Sequence, residues 1–231
     1  ALVSGIIGLV MISSPGMAYQ EGEVAKGGGL TGTVSFKGPI PDPYVIWPTK
    51  DVDVFGKTIP DDRLIVSKEG RIKNVVISLE GIKEGKRWPN VNASLANRGG
   101  RFFPHVQVAR TGAQLEIVNR DPVLHNTHGF QGGRSVFNVG LPTQDQKVKK
   151  PLKRAGIMQA MCDVHDWMSA WVVVQDHPYF AITGEDGTFT IRDVPPGTYK
   201  ISAWHEKLKP QKKEVKVSPG SKLRVDFEIG P

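Results

Sequence analysis

The chain has 231 residues, 26 of them Gly and 17 Pro, and carries a formal charge of +7 from 30 Lys+Arg against 23 Asp+Glu. That density of helix breakers excludes a helical bundle and favours short strands joined by turns. Apolar residues make up 39%, enough for packed cores but too few for a bundle of membrane spans, and the single cysteine, Cys162, excludes an intramolecular disulfide framework.

In chain order, residues 1–12 (ALVSGIIGLVMI) are apolar and uncharged, small residues follow through Ala18, and the first charge is Glu21. A dozen apolar residues falls short of the roughly 20 that span a bilayer. Residues 1–18 therefore read as a secretory signal cut after Ala18, which predicts a periplasmic or secreted protein. Membrane tethering is expected only if that leader stays uncleaved. Gly27-Gly28-Gly29 reads as a flexible joint and residues 30–36 as a strand. Residues 39–60, with five prolines, read as an irregular connection. Residues 72–79 (IKNVVISL) form a β-branched strand pattern, and a loop of Gly, Lys, Asn and Arg continues to Gly100. Strands are then predicted at 106–109 and 114–118, and, after a long loop-rich stretch, at 171–174.

The last fifty residues carry the clearest hairpin pattern. Runs at 188–191, 199–203, 214–217 and 223–229 are separated by Glu185-Asp186-Gly187, Pro195-Pro196-Gly197 and Pro219-Gly220. In the final run Leu223, Val225, Phe227 and Ile229 alternate with charges, predicting a half-buried antiparallel strand. No helical run of ten or more residues is evident. The predicted fold class is all-β.

The chemistry concentrates in Met161-Cys162-Asp163-Val164-His165-Asp166-Trp167-Met168, which spaces thiolate, imidazole and thioether donors as Cys-x2-His-x2-Met. Upstream, Leu124-His125-Asn126-Thr127-His128 offers a second imidazole from His125 or His128, and residues three apart on a strand face opposite sides. Two His, one Cys and a weaker Met is the ligand set of mononuclear electron-transfer copper sites. Thiolate and thioether suit Cu(I), and imidazole suits both oxidation states. Zinc is the competing metal, because Cys and His bind it equally well; the Met tilts the set toward one copper ion cycling between Cu(I) and Cu(II). Asp163 and Asp166 lie in the same loop and read as solvated carboxylates rather than ligands.

These residues resemble the cupredoxin family, in particular its short-loop, amicyanin-like members. The resemblance extends to Phe103-Pro104, Val106-Gln107-Val108, Gly112, Leu115-Glu116-Ile117-Val118-Asn119 and Gly156, and covers roughly residues 72–174. It implies a Greek-key copper domain over residues 70–176, with His125, Cys162, His165 and Met168 as metal ligands. It also implies that Asn126 ties the two ligand loops together. The run Ile157-Met158-Gln159-Ala160-Met161 departs from the family, which usually offers aromatics there. A second resemblance, on Thr183-Gly184-Glu185-Asp186-Gly187-Thr188-Phe189 and Val194-Pro195-Pro196-Gly197-Thr198-Tyr199, is to the carboxypeptidase-regulatory-like, transthyretin-like sandwich. The opening Gly-x-Val strand of that family is matched by Thr31-Gly32-Thr33-Val34. Residues 28–50 plus 178–231 are therefore expected to build one sandwich into which the copper domain is inserted. The whole arrangement resembles small periplasmic proteins called methylamine-utilisation-like.

Trp167 is expected to shield the metal or to pack on the second sandwich. His105, His177 and His205 are read as structural, and Met158 and Met161 as core. Residues 147–154 (KVKKPLKR) hold five positive charges and no acid, which suits steering of an acidic redox partner or guarding a strand edge. Nucleic acid is not expected as a partner, because no aromatics interleave the basic run. Asn92-Ala93-Ser94 fits a glycosylation triplet, a pattern common by chance. With no Ser-His-Asp arrangement and no phosphate loop, the sequence reads as a non-enzymatic, exported copper protein that passes single electrons. The alternatives are a copper-delivery protein without redox cycling, or an adhesive scaffold with a structural metal.

Overall fold

A computed structural model describes residues 19–90 and 92–231; the expected leader, residues 1–18, lies outside the described residues. In chain order the elements are β1 (Gln20–Glu21), β2 (Gly28–Phe36), β3 (Val45–Ile46), the single-turn α1 (Val52–Phe55), β4 (Ile59–Pro60), β5 (Val76–Glu80) and β6 (Glu84–Gly85). They continue with β7 (Ala93–Arg98), β8 (Arg101–Phe103), β9 (Val106–Arg110), β10 (Gln114–Asn119), β11 (His125–Gln131) and β12 (Arg134–Leu141). Next come β13 (Lys147–Pro151), β14 (Gly156–Met161) and β15 (Ser169–Gln175). The chain closes with β16 (Phe180–Ile182), β17 (Thr188–Val194), β18 (Gly197–His205), β19 (Leu208–Val217), β20 (Lys222–Arg224) and β21 (Phe227–Ile229). The protein is all-β.

These strands form two sandwiches, each with its own apolar core. In the first, a sheet ordered β13-β10-β7-β8 faces one ordered β12-β11-β14-β15-β9. Leu95, Phe102, Leu115, Ile117, Met158, Ala160 and Val172 interlock between them. In the second, β16-β5-β18-β19 faces β17-β2-β20, with β21 also on β2. Its core holds Leu30, Val34, Ile77, Leu79, Tyr179, Ile201 and Phe227. The second sandwich takes β2 and β5 from before the first and β16 onward from after it, so the first is an insertion between β5 and β16. The two pack through Trp171 against Trp204, with ring centroids 5.5 Å apart. A hydrogen bond from the Ser78 hydroxyl to Gln175 at 2.9 Å and a buried hydrogen bond between the His105 Nε2 and the Glu206 carboxylate add to this interface.

Several expectations are corrected by this architecture. The strand expected at 72–79 within the copper domain belongs to the second sandwich: β5 lies between β16 and β18, and Val75, Ile77 and Leu79 enter that sandwich's core. The boundary at residue 70 therefore moves to β7. The loop expected through Gly100 contains β7, whose buried face of Ala93, Leu95 and Asn97 alternates with exposed Ser94 and Arg98 and a half-buried Ala96. Gly28 and Gly29 are not a joint but the first residues of β2, where Gly28 is pressed against Val217. The final run is not one antiparallel strand. It splits into β20 and β21, both parallel to β2. The break falls where Asp226 accepts hydrogen bonds from the Thr33 backbone N–H (2.8 Å) and hydroxyl (2.9 Å), replacing a ladder bond with a side-chain one.

His205, at the end of β18, is 3% exposed, and burial lowers its pKa to about 4. Between pH 6.5 and 4 the unfolded chain binds a proton that the folded imidazole refuses, so stability falls as the pH falls through that window. The expected loss is about 3 kcal/mol. Denaturant unfolding of His205→Asn, which keeps an acceptor for the Lys207 N–H, is expected to show a shallower acid dependence than the wild type. Identical pH profiles would contradict this.

Candidate metal centre

The site lies at one end of the first sandwich, where the turn leading into β11 meets the turn between β14 and β15. His125 opens β11, Cys162 follows the last residue of β14, and His165 sits in the turn before β15. All three are buried, at 0–1% exposure. One donor atom from each lies within 4.8 Å of the others. The Cys162 Sγ is 3.8 Å from the Nδ1 atoms of both His125 and His165.

Carboxylates fix the orientation of both rings. The His125 Nε2 is 3.0 Å from Asp121, and the His165 Nε2 is 2.7 Å from Asp51. An ionised carboxylate only accepts, so each Nε2 carries the hydrogen and donates it. Each Nδ1 then presents its lone pair to the centre. The two Nδ1 atoms face each other at 3.1 Å, a contact that a shared proton or a cation makes favourable and that is otherwise repulsive. Burial raises the pKa of the Cys162 thiol. Hydrogen bonding to His125 and the backbone N–H groups of Asn126, His165 and Val164 outweighs it, holding the thiol below its ordinary value. A low thiol pKa favours the thiolate that a metal requires. For His125, burial lowers the pKa, but the bonds to Asp121 and Cys162 prevail and leave it raised. For His165, burial dominates and its pKa is lowered despite Asp51.

Asn126 links the two ligand-bearing turns. Its carbonyl oxygen accepts the Asp163 backbone N–H, and its amide donates to the Asp163 carboxylate at 2.8 Å. Met168 is 2% exposed and packs in the same core as Cys162, and its N–H donates to the His165 carbonyl at 3.0 Å. The other sequence candidates stand apart. His128 turns away from the cluster to Asp163 (3.1 Å) and Ser135 (2.9 Å), and Asp163 and Asp166 are exposed. His105 pairs with Glu206, and Met158 is core. Trp167 donates its indole N–H to the Gly100 carbonyl at 3.0 Å, its ring centroid 5.1 Å from that of His165.

Sequence reasoning missed Asp51 and Asp121. Asp121 had a local signal, a carboxylate four residues before a candidate ligand histidine. Asp51 had none: it is 114 residues from its partner and lies in a proline-rich connection. The donor chemistry fits a copper ion: one soft thiolate, two imidazoles with lone pairs converging, and no fourth protein donor of hard type among the described residues.

An all-β protein of two sandwiches with a buried His/Cys/His centre is thus the class that fold and site define. Residues 169–230, from β15 through β21, match the family model of the carboxypeptidase regulatory-like domain. No functionally curated protein matches the chain. Among solved structures, the chain is similar to a copper-containing nitrite reductase from Thermus scotoductus, with 19% identity, 40% of this chain, 24% of that chain and a TM-score of 0.34. It is also similar to a purple cupredoxin from Nitrosopumilus maritimus, with 21% identity, 36% of this chain, 100% of that chain and a TM-score of 0.33. A third is amicyanin from Paracoccus versutus, with 19% identity, 38% of this chain, 85% of that chain and a TM-score of 0.34. The chain spans about a quarter of the nitrite reductase.

Proposed function

We propose that the protein is an exported mononuclear copper protein that carries single electrons, with His125, Cys162 and His165 holding the ion and Met168 as a weak fourth donor. The observation that supports this most is the mutual orientation of the donors: two imidazole lone pairs and a thiol converge in a buried space, and carboxylates hold each ring from behind. Copper bound there would supply a one-electron couple. The chain's part is to fix the donors so that both oxidation states meet the same surroundings, and to keep water out. The soft set of one thiolate with a buried thioether nearby favours copper over zinc. No step of substrate chemistry is assigned, and the reading is of a carrier rather than an enzyme.

The partner we propose is an acidic redox protein. The basic run of residues 147–154 includes β13, which among the described residues is an edge strand paired only with β10, where Lys147, Lys149 and Pro151 are exposed. Attraction of that kind accelerates encounter and weakens with salt. Among the described residues no helix is long and apolar enough to cross a membrane.

Protein-film voltammetry of the copper-loaded protein tests the carrier reading. A reversible one-electron wave is expected, shifted on Met168→Leu. Tight Cu(I) binding with no reversible wave would replace electron transfer with copper delivery.

A further inference from the structure

We propose that residues 51–55 are a seal on the metal centre, contributed by the second sandwich: Asp51 orients His165, and Phe55 closes the His125/Cys162/His165 cluster to water and small ligands. The purpose of the seal rests on the copper reading; its geometry does not.

The residues come from the long connection between β2 and β5, both strands of the second sandwich. β3 and β4 pair antiparallel and hold α1 between them. None of the α1 residues is fully buried, so hydrophobic burial of the turn as a whole does not explain its position. Two specific contacts do. Asp51 adopts a left-handed conformation (φ 48°, ψ 40°) with no side-chain cap to its own helix, a conformation uncommon outside Gly, Asn and Asp. Its carboxylate is spent instead on the His165 Nε2 at 2.7 Å. Phe55 meets His165 edge-on at 5.2 Å and Trp167 at 6.3 Å between centroids, and lies 5.9 Å from His125.

The floor of the slot is Gly100, at φ +65°. A Cβ there would come within 2.8 Å of Ile59 and 3.2 Å of Phe55. An Arg101–Asp62 ion pair at 2.9 Å ties the same connection to β8. Beside the site, where the same connection meets β8 and the start of β15, a cavity of ≈10 Å³ is lined in part by Ile46, Arg63, Gly100, Trp167 and Met168 and by none of His125, Cys162 and His165, room for about one water at most. His165 has a side-chain exposure of 0% beneath an Asp51 that is 39% exposed. The outer side of the seal is mixed, with Val52 and Val54 more than 40% exposed beside an exposed Asp53. Among the described residues, Asp51 and Phe55 of this turn cover the cluster, so lifting the turn opens it to copper or a small ligand.

Cys162 is the only thiol in the chain, so its alkylation by a maleimide in the metal-free, full-length protein reads the opening directly. The wild type is expected to react slowly. Phe55→Ala should raise the rate at least about tenfold, and Asp51→Gly several-fold, as local opening becomes easier. Asp51→Asn, whose amide oxygen still accepts the Nε2–H, should restore a near-wild-type rate. The exposed Trp47→Ala, on the same connection, should change nothing. Rates for Phe55→Ala and Asp51→Gly equal to the wild type, or a wild-type thiol as reactive as one in the urea-unfolded chain, would overturn the seal. Copper uptake by the wild type is measured separately. A chain that takes up no copper yet shows these rate changes refutes the copper reading and still supports the seal.

Discussion

Cys162→Ser is expected to weaken copper binding by at least about 100-fold, a loss larger than the 10–100-fold that follows from disturbing a group behind the ligands. The hydroxyl that replaces the thiol stays protonated at neutral pH and is a poor donor to Cu(I). The fold should survive, because Cys162 is one small buried residue among well-packed neighbours such as Met168 and Ala160. Competition against a Cu(I) chelator, read beside unchanged circular dichroism, checks this. An affinity within a few-fold of the wild type would mean that the thiol is packing and not a ligand.

Gly32→Ala should have the largest effect on stability. A Cβ on Gly32 would lie 1.9 Å from the Val225 carbonyl oxygen and 2.8 Å from the Phe189 ring. β2 runs between β17 and β20, so neither neighbour withdraws without opening the sheet. The expected cost is about 3 kcal/mol, at the upper end for overpacking, lowering the melting temperature by about 6–12 °C for a chain of this size. Thermal unfolding followed by circular dichroism reads it. Because the connection carrying Asp51 and Phe55 leaves directly from β2, the same variant should also speed Cys162 alkylation, linking the packing of one sandwich to the closure of the other. A melting temperature unchanged by Gly32→Ala would show that β20 and β2 are not held at the spacing described.

Where residues announce their own structure, the sequence was readable. The Gly- and Pro-containing turns between residues 185 and 220 mark strand boundaries because those residues restrict the backbone directly. They are not the expected hairpins: each joins strands of opposite sheets, and the one hairpin there, β18–β19, turns at Glu206-Lys207. The loop at Cys162 was equally legible, since donor spacing is a local property. The stretch from β11 to β13 was not, although β14 was, as the strand leading into Cys162. β11 reads HNTHGFQ, β12 is mostly exposed and β13 is Lys-rich. Their strand character comes from the ladder they join, not from apolar alternation. β5 shows a different limit. Its β-branched pattern correctly gave a strand, but a buried strand carries no mark of which core it fills, and chain order placed it beside the wrong one.

The same limit governed the site. His125, Cys162, His165 and Asn126 sit in short motifs and could be named by number. Asp51 could not, because its role exists only once β2 and β5 have been brought together and their connection has crossed to the other sandwich. That crossing brings the second sandwich into contact with the candidate metal centre. It holds one carboxylate and one aromatic ring over a histidine of its neighbour.

The most direct test of the account is titration of the metal-free protein with Cu(II), followed by visible absorption and electron paramagnetic resonance. One equivalent should saturate an intense thiolate-to-copper charge-transfer band, together with the signal of a single mononuclear Cu(II), and Cys162→Ser should show neither. No uptake, or binding whose spectrum is the same without the Cys162 thiol, would contradict the assignment of His125, Cys162 and His165 as a copper centre.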